Sequence, residues 1–258
     1  MQRRPDGYHN IQTVMMPVPW CDILEIVPAN ATETTLNITG THIASPVEEN
    51  LCFKAWRLMA DRFSIPAVAM HLHKVIPTGA GLGGGSSDGA FALKMLNNMF
   101  QLDLDNETIR SLAVQLGMDC PFFIENVPAL STGRGEFLKP VNLALNGYYL
   151  VIVKPPVHVS TAAAFLGISP LLRENSIDEI THLPIQEWKR ELHNDFEDSV
   201  FDLYPDIREI KYLMYRHKAT YASLSGSGSA VFGLFAEKPE HLEFPGCDVF
   251  LTLLGSQP

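Results

Sequence analysis

The residues best suited to chemistry form one glycine-rich segment, Pro77-Thr78-Gly79-Ala80-Gly81-Leu82-Gly83-Gly84-Gly85-Ser86-Ser87, followed by Asp88. Glycine at this density lets the backbone adopt positive φ angles and approach a ligand closely. The segment lies between a predicted strand and a predicted helix, so the unpaired N–H groups at the start of that helix would point into it. Such an arrangement binds anions, above all phosphates. We therefore predict a phosphate-binding loop at residues 77–87.

Two familiar phosphate motifs fit this segment poorly. Gly79-x-Gly81-x-x-Gly84 matches the dinucleotide fingerprint by letter, but no first Rossmann strand leads the chain and no acidic residue follows at the expected offset. A Walker A loop ends in Gly-Lys-Ser/Thr, whereas Gly85 is followed directly by Ser86. A purely structural glycine loop stays open as an alternative, although so many glycines at a helix start cost chain entropy that a ligand would explain.

The elements that must position this loop can be predicted from apolar periodicity. Strands are expected at residues 21–27, 33–39 and 67–73, which are short, partly alternating and rich in β-formers. Three helices are expected: one after an Asn50 cap, one from Ser87 or Asp88 to about Phe100, and one from Asp105 or Asn106 to a left-handed Gly117.

The second half of the chain shows the same mixture of elements. Pro205 occupies a predicted first helical position, and strands are expected at residues 148–153, 221–224, 230–235 and 248–253. Strands and helices alternate irregularly, which favours an α+β fold over a doubly wound sheet. With 258 residues the chain exceeds the common single-domain size, and we expect two domains, residues 1–145 and 146–258.

Composition narrows the class of partner. Nineteen Lys and Arg against 29 Asp and Glu give a formal net charge of -10, so nucleic-acid binding is not expected. The four cysteines are scattered without a C-x-x-C pair, and we read them as buried free thiols rather than as zinc ligands. No signal peptide or apolar stretch of about 20 residues is found, so we expect a cytoplasmic enzyme that does not act at a membrane.

Four segments together resemble a known family. The pattern P-x-G-x-G-L-G-G-G-S-S after a strand resembles the phosphate-binding motif of the GHMP kinases. Three further segments are similar to those of the 4-diphosphocytidyl-2-C-methylerythritol kinase family, and they follow in that family's order. These are Arg4-Pro5-Asp6-Gly7-Tyr8-His9-Asn10-Ile11, Leu116-Gly117-Met118-Asp119-Cys120-Pro121-Phe122-Phe123 and Leu224-Ser225-Gly226-Ser227-Gly228-Ser229-Ala230.

The resemblance implies both a fold and a reaction. The fold would be the two-domain α+β GHMP kinase fold, with an N-terminal part like domain 2 of ribosomal protein S5 and a ferredoxin-like C-terminal part. The reaction would move the γ-phosphate of ATP, accompanied by Mg²⁺, onto the 2-hydroxyl of 4-diphosphocytidyl-2-C-methylerythritol in non-mevalonate isoprenoid synthesis. Because Mg²⁺ commonly keeps several waters, no metal ligand is assigned.

Asp119 is the residue that the resemblance makes the catalytic base. One well-placed carboxylate is chemically adequate, because phosphoryl transfer depends mainly on positioning and charge neutralisation. An ordinary helix-end aspartate is the alternative for this position taken alone. Lys74, just before the glycine-rich segment, could add charge near the nucleotide or be a solvated residue at a strand end.

The substrate residues implied by the resemblance lie at both ends of the chain. Tyr8 would stack on the cytosine ring and His9 would hydrogen-bond its edge. Phe165 would cover the other face of the ring, or else be an ordinary core residue. Gly226 and Gly228 would form a tight turn near the phosphates or the acceptor, although Ser-Gly-Ser-Gly is also a good hairpin turn.

One expected motif of the family does not occur in the sequence. The family has a strand with a P-A-K-I/L-N-L motif ahead of the R-x-D-G-Y-H segment, and its lysine reaches the catalytic aspartate and the transferred phosphate. Here Met1 is followed by Gln2-Arg3-Arg4. Because such a cation stabilises developing charge, a catalytically impaired nucleotide-binding homologue stays open as an alternative. A GHMP kinase for another small alcohol is a separate alternative, and the Asp6-Gly7-Tyr8-His9 segment argues against it.

Overall fold

The computed structural model describes residues 2–3, 9–43, 45–168 and 177–255, and its chain forms two units. The N-terminal unit comprises residues 11–78 and 83–140. The C-terminal unit comprises residues 1–10, 79–82 and 141–258, so the first half of the glycine-rich segment groups with the end of the chain. The proposed domain boundary between residues 145 and 146 stays a prediction.

The elements follow one another in a mixed order, which confirms the α+β fold class. The strands are β1 (Gln2–Arg3), β2 (His9–Met15), β3 (Ile23–Pro28), β4 (Thr35–Gly40), β5 (Val68–Lys74), β6 (Ala129–Gly133), β7 (Phe137–Pro140), β8 (Tyr149–Lys154), β9 (Tyr221–Leu224), β10 (Val231–Phe235) and β11 (Asp248–Leu253). The helices are α1 (Leu51–Phe63), α2 (Gly84–Met99), α3 (Asn106–Leu116), α4 (Phe122–Glu125), α5 (Thr161–Leu166), α6 (Ile177–Thr181), α7 (Ile185–Glu191), α8 (Phe196–Leu203) and α9 (Pro205–Arg216). A short 3₁₀ helix spans Val47–Glu49.

The N-terminal unit packs α1, α2 and α3 on a three-stranded sheet of order β3-β5-β4. β3 runs antiparallel to the central strand β5, and β4 runs parallel to it. Strand β6 pairs antiparallel with both β2 and β7 in a second sheet. The fully buried Leu72, Leu93 and Leu112 come from β5, α2 and α3, so one core fixes the start of α2 relative to the end of β5.

The starts of α1 and α3 follow from side-chain caps, and the start of α2 follows from glycine. Asn50 and Asp105 cap α1 and α3 as predicted, accepting from the N–H groups of Cys52 at 2.9 Å and Thr108 at 2.8 Å. The predicted cap of α2 is wrong, because this helix begins three residues before Ser87, after a left-handed Gly83 with φ of 69°. The prediction of a left-handed conformation at Gly117 is also wrong, because its φ angle of 174° belongs to extended backbone.

The C-terminal unit has a four-stranded antiparallel sheet of order β11-β8-β10-β9. Numbered from β8, this is the order fourth, first, third, second, with helices between the first and second strands, as in a ferredoxin-like fold. Ile207 and Met214 of α9 and Val200 of α8 are fully buried against Val153 and Val231 of the sheet. Pro205 is the first residue of α9, as predicted. None of the helices among the described residues is long and apolar enough to cross a membrane.

A buried ionic group ties the end of β5 to the start of α2. The Lys74 ammonium, in a residue only 3% exposed, forms ion pairs with Asp22 and, at 2.8 Å, with Asp88 in α2. Asp22 also accepts hydrogen bonds from the N–H groups of Val75 at 2.6 Å and Ile76 at 2.9 Å. Of the two alternatives for Lys74, the solvated residue at a strand end is therefore wrong, because two carboxylates hold its charge inside the protein.

Removing the Lys74 charge should destabilise the N-terminal unit. Lys74→Ala leaves two buried carboxylates without their cation, and breaking such a buried group typically costs about 3–5 kcal/mol. We expect a large fall in the urea midpoint of unfolding, followed by far-UV circular dichroism. Lys54→Ala, at an exposed position of α1, is the matched control and should change stability by less than about 0.5 kcal/mol. Equal midpoints for both variants would contradict the structural role of Lys74.

Candidate active site

The first half of the glycine-rich segment, Gly79 to Leu82, is fixed by close backbone contacts within the C-terminal unit. Gly79 and Gly81 have φ angles of 63° and 73°, a region that L side chains rarely adopt. A Cβ at Gly81 would lie 2.1 Å from the carbonyl oxygen of Ser225, and one at Gly79 would lie 2.7 Å from Nδ1 of His158. Only glycine fits both positions.

The carbonyl groups of this half are hydrogen-bonded by the turn between β9 and β10. The Ser225 hydroxyl donates to the Gly81 carbonyl at 2.8 Å, and the Ala230 N–H donates to the Ala80 carbonyl at 3.0 Å. Among the described residues, no acceptor pairs with a backbone N–H group of residues 78–86. The segment therefore has bonded carbonyls and free N–H groups, which is what an anion-binding loop needs.

The second half of the segment, from Gly83 onward, starts α2 in the N-terminal unit. The first N–H groups of any helix lack internal partners, and here the N-cap Gly83 has no side chain to bond them. A Cβ at Gly84 would lie 3.1 Å from Ile76 and 3.5 Å from the Lys74 ammonium, whereas one at Gly85 would meet nothing within 4 Å. The free N–H groups and the helix dipole make this end of α2 attractive to anions.

The charge balance beneath α2 is set by burial. Burial alone would lower the pKa of Lys74, but attraction and hydrogen bonding to Asp88 and Asp22 outweigh it and raise that pKa. Burial raises the pKa of Asp88 to about 6, although Lys74 opposes the rise. Lys74 is thus a permanent cation near the first turn of α2.

Asp119 lies in the turn between α3 and α4 and has no hydrogen bond or ion pair among the described residues. Although the residue is exposed to solvent, the surrounding protein atoms partly desolvate its carboxylate and raise its pKa. A Cβ at Gly135 would be 3.7 Å from Asp119 Oδ1, so the turn between β6 and β7 approaches the carboxylate closely. The buried Ser131 hydroxyl fixes that turn by donating to the Gly135 carbonyl at 2.8 Å. The carboxylate is thus accessible and accepts no hydrogen bond from the part of the chain that the structure describes.

A direct contact links the Asp119 turn to the start of α2. The side chain of Ser86, in the first turn of α2, is near enough to the thiol of Cys120, the residue after Asp119, to oppose in part the rise of its pKa on burial. Burial raises the pKa of Cys120 to about 11, so this thiol is neutral and acts as a packing group. A Cβ at Gly83 would also lie 3.0 Å from the ring of Phe123. The predicted phosphate-binding helix start and the predicted base are therefore neighbours in the N-terminal unit.

The three residues predicted to contact the cytosine ring lie in different parts of the chain. Tyr8 lies outside the described residues, and His9 begins β2, where its backbone pairs with that of Arg3. Phe165 is half-buried in α5 and packs edge-to-face on Phe196, with 4.9 Å between ring centroids.

Gly226 and Gly228 form the β9–β10 hairpin turn, with φ angles of 53° and 88°. A Cβ at Gly226 would lie 3.3 Å from the Gly81 carbonyl oxygen. Both predicted glycines are therefore in the turn that contacts the glycine-rich segment.

Sequence reasoning missed several supporting residues. Asp22 and Asp88 hold Lys74, and Asn194 and Glu197 hold the end of β9. No local pattern marks them, because each meets its partner across at least 14 positions of sequence. Among the described residues there is no group of three or more His, Cys, Asp or Glu side chains placed to hold a metal ion.

Comparisons with known proteins agree along nearly the whole chain. Residues 50–126 match the model "GHMP kinases N terminal domain", and residues 176–243 match "GHMP kinases C terminal". The chain is 48% identical to the 4-diphosphocytidyl-2-C-methyl-D-erythritol kinase of Parabacteroides distasonis, over 94% of this chain and 89% of that protein.

Two solved structures extend the comparison to the fold. A crystal structure of 4-(cytidine 5'-diphospho)-2C-methyl-D-erythritol kinase is 32% identical with a TM-score of 0.76, covering 90% of this chain and 83% of that one. The mevalonate kinase of Methanococcus jannaschii shares the fold, with 14% identity and a TM-score of 0.73 over 96% of this chain and 92% of that one. The chain belongs to the GHMP kinases, in the family of 4-diphosphocytidyl-2-C-methyl-D-erythritol kinases.

Proposed function

We propose that this protein transfers the γ-phosphate of ATP to the 2-hydroxyl of 4-diphosphocytidyl-2-C-methyl-D-erythritol, a step in non-mevalonate isoprenoid synthesis. The observation that supports the proposal is the close approach of the Phe123 ring to Gly83, 3.0 Å from the position of a Gly83 Cβ, which packs the segment just after Asp119 against the unbonded N–H groups at the start of α2. A phosphate donor site and a candidate base thus meet in one unit. The substrate is a small molecule, and we propose a cytoplasmic location.

The ATP phosphates are held by the loop from Pro77 to Ser87. Its free N–H groups donate to phosphate oxygens, and the α2 dipole adds favourable potential at the same point. Lys74 does not replace a Walker lysine, because its ammonium is buried between Asp22 and Asp88. Recognition therefore rests on the backbone of the loop, which at Gly81 leaves no room for a Cβ beside the Ser225 carbonyl.

Mg²⁺ accompanies ATP in this proposal, and the residues present fit it. Mg²⁺ needs only one or two protein oxygens besides phosphate and water, and the Asp119 carboxylate and the Ser86 and Ser87 hydroxyls are the oxygens beside the helix start. When bound, the ion neutralises charge on the phosphates. No larger carboxylate cage is required, in keeping with the lack of one among the described residues.

Asp119 acts as the base that orients and deprotonates the acceptor hydroxyl. Its carboxylate makes no hydrogen bond to described residues, so it is free to accept one from the substrate. Partial desolvation raises its pKa, which makes it a stronger base than an ordinary aspartate. The proposed cytosine contacts are Tyr8, His9 and Phe165, and Gly226 and Gly228 are proposed to approach the bound ligands.

Substrate choice can be tested by measuring ADP release with ATP and Mg²⁺ and one alcohol at a time. We expect turnover with 4-diphosphocytidyl-2-C-methyl-D-erythritol and at least about 100-fold lower kcat/KM with mevalonate or homoserine, because neither carries a cytidine diphosphate. Preferential turnover of another alcohol would make the protein a GHMP kinase of different specificity. Binding of ATP without turnover of any alcohol would indicate an impaired homologue.

Replacing the proposed base should remove turnover but not nucleotide binding. Asp119→Asn keeps the size of the side chain and loses the basic oxygen, so kcat should fall about 10²- to 10⁴-fold while the Kd for ATP changes by less than about threefold. Asp105→Asn is the matched control, since asparagine caps a helix as well as aspartate does and this residue lies at the start of α3. Unchanged kcat in Asp119→Asn would remove Asp119 from the mechanism.

A single methyl group should disable the glycine loop. In Gly81→Ala the new Cβ must displace the Ser225 carbonyl, at a backbone angle that disfavours alanine, so ATP affinity should fall at least about tenfold and thermal stability should drop. Gly85→Ala, in the same segment but helical and unobstructed, should match or exceed the thermal stability of the original chain. Equal ATP affinity in Gly81→Ala and the original chain would refute the loop's role.

A further inference from the structure

Asn194, which lies between α7 and α8, uses its whole side-chain amide on the turn that supports the glycine loop. Its Nδ2 donates to the carbonyl of Leu224 at 2.8 Å and to the carbonyl of Gly226 at 2.7 Å. Its Oδ1 accepts from the N–H of Phe196 at 2.9 Å, at the start of α8. Both donors and the acceptor are thus engaged in short, well-formed hydrogen bonds.

The two carbonyls that accept from Asn194 belong to the residues on either side of Ser225, whose hydroxyl donates to the glycine loop. Ser225 donates its hydroxyl to the Gly81 carbonyl at 2.8 Å, and its own carbonyl is the atom that a Cβ at Gly81 would strike. Asn194 therefore fixes the peptide groups on either side of the contact. Its side-chain hydrogen bonds to described residues go to Leu224, Gly226 and Phe196, not to residues 77–87. Its influence on the loop must pass through the turn.

The neighbouring Glu197 shows how specific this role is. Its buried carboxylate accepts from the Ser223 hydroxyl at 3.1 Å and the Leu224 N–H at 2.9 Å, and it pairs with Lys211 at 2.5 Å. These contacts anchor strand β9 to α8 and α9. Asn194 reaches further along the chain, to Gly226, where φ is 53° and regular strand bonding has ended.

We propose that Asn194 is a positioning residue for the phosphates of ATP. It holds the turn from Leu224 to Gly226 in place, the turn holds the carbonyls of Ala80 and Gly81, and the loop's N–H groups consequently stay aligned and free for phosphate. This inference rests on the proposed binding of ATP by the loop. It assigns to Asn194 an effect on nucleotide affinity that is larger than its effect on recognition of the cytidine end.

The test compares Asn194→Asp with the original chain by calorimetric titration with ATP and, separately, with CDP. The aspartate keeps the oxygen that accepts from the Phe196 N–H but sets its other carboxylate oxygen against two carbonyls, so the turn should shift. We expect the Kd for ATP to rise about tenfold or more and the Kd for CDP to change by less than about twofold. Asn97→Asp is the matched control, because Asn97 makes the same kind of backbone bonds to Leu104 away from the loop.

Ser225→Ala, alone and combined with Asn194→Asp, supplies a second test through the measured ATP affinities. If Asn194 acts through Ser225, the double variant should lose less ATP affinity than the product of the two single losses. If Asn194→Asp does not fold, Asn194→Ala replaces it in the same measurements. An ATP Kd within about twofold of the original chain in the folded Asn194 variant would overturn the inference. Failure of the original chain to bind ATP would instead overturn the proposed function.

Discussion

A phosphate-binding loop must keep its backbone fixed and its N–H groups unpaired, and these demands conflict because ordinary secondary structure uses both. Here the conflict is resolved by bonding only one side of the peptide groups. The carbonyls of Ala80 and Gly81 accept from Ala230 and Ser225, while the N–H groups of residues 78–86 have no acceptor among the described residues. The close approach of Gly81 to Ser225 leaves no room for a side chain. The glycines are therefore a consequence of backbone contact as much as of ligand contact.

The helix that continues from the loop relies on a different interaction. Lys74 pairs with Asp22 and Asp88 and joins the last residue of β5 to the first turns of α2. A buried charge cluster of this kind is costly to desolvate and is held by complementary partners, so it specifies one arrangement of strand and helix. The ring of Phe123 in α4, which follows the Asp119 turn, packs against Gly83 at the start of the same helix.

Much of this could be predicted from the sequence, because the signals are local. The strands, the Asn50 and Asp105 caps and the first residue of α9 follow from periodicity and cap chemistry. The start of α2 could not, since serine and aspartate normally cap helices but here lie inside one, with Asp88 bonded to Lys74. The left-handed conformation predicted for Gly117 was wrong because the chain leaves α3 in an extended conformation. The role of Asn194 depends on a partner about 30 residues away and leaves no local pattern.

The central claim is that the backbone N–H groups of the loop bind the phosphates of ATP. Amide NMR of the ¹⁵N-labelled protein, titrated with a non-hydrolysable ATP analogue and Mg²⁺, tests it directly. The amide protons of Gly79 to Ser86 should move downfield as they begin to donate to phosphate, and Asp119 and Cys120 should follow with smaller shifts. Saturating binding that leaves the loop amides unmoved while shifting residues elsewhere would contradict the claim.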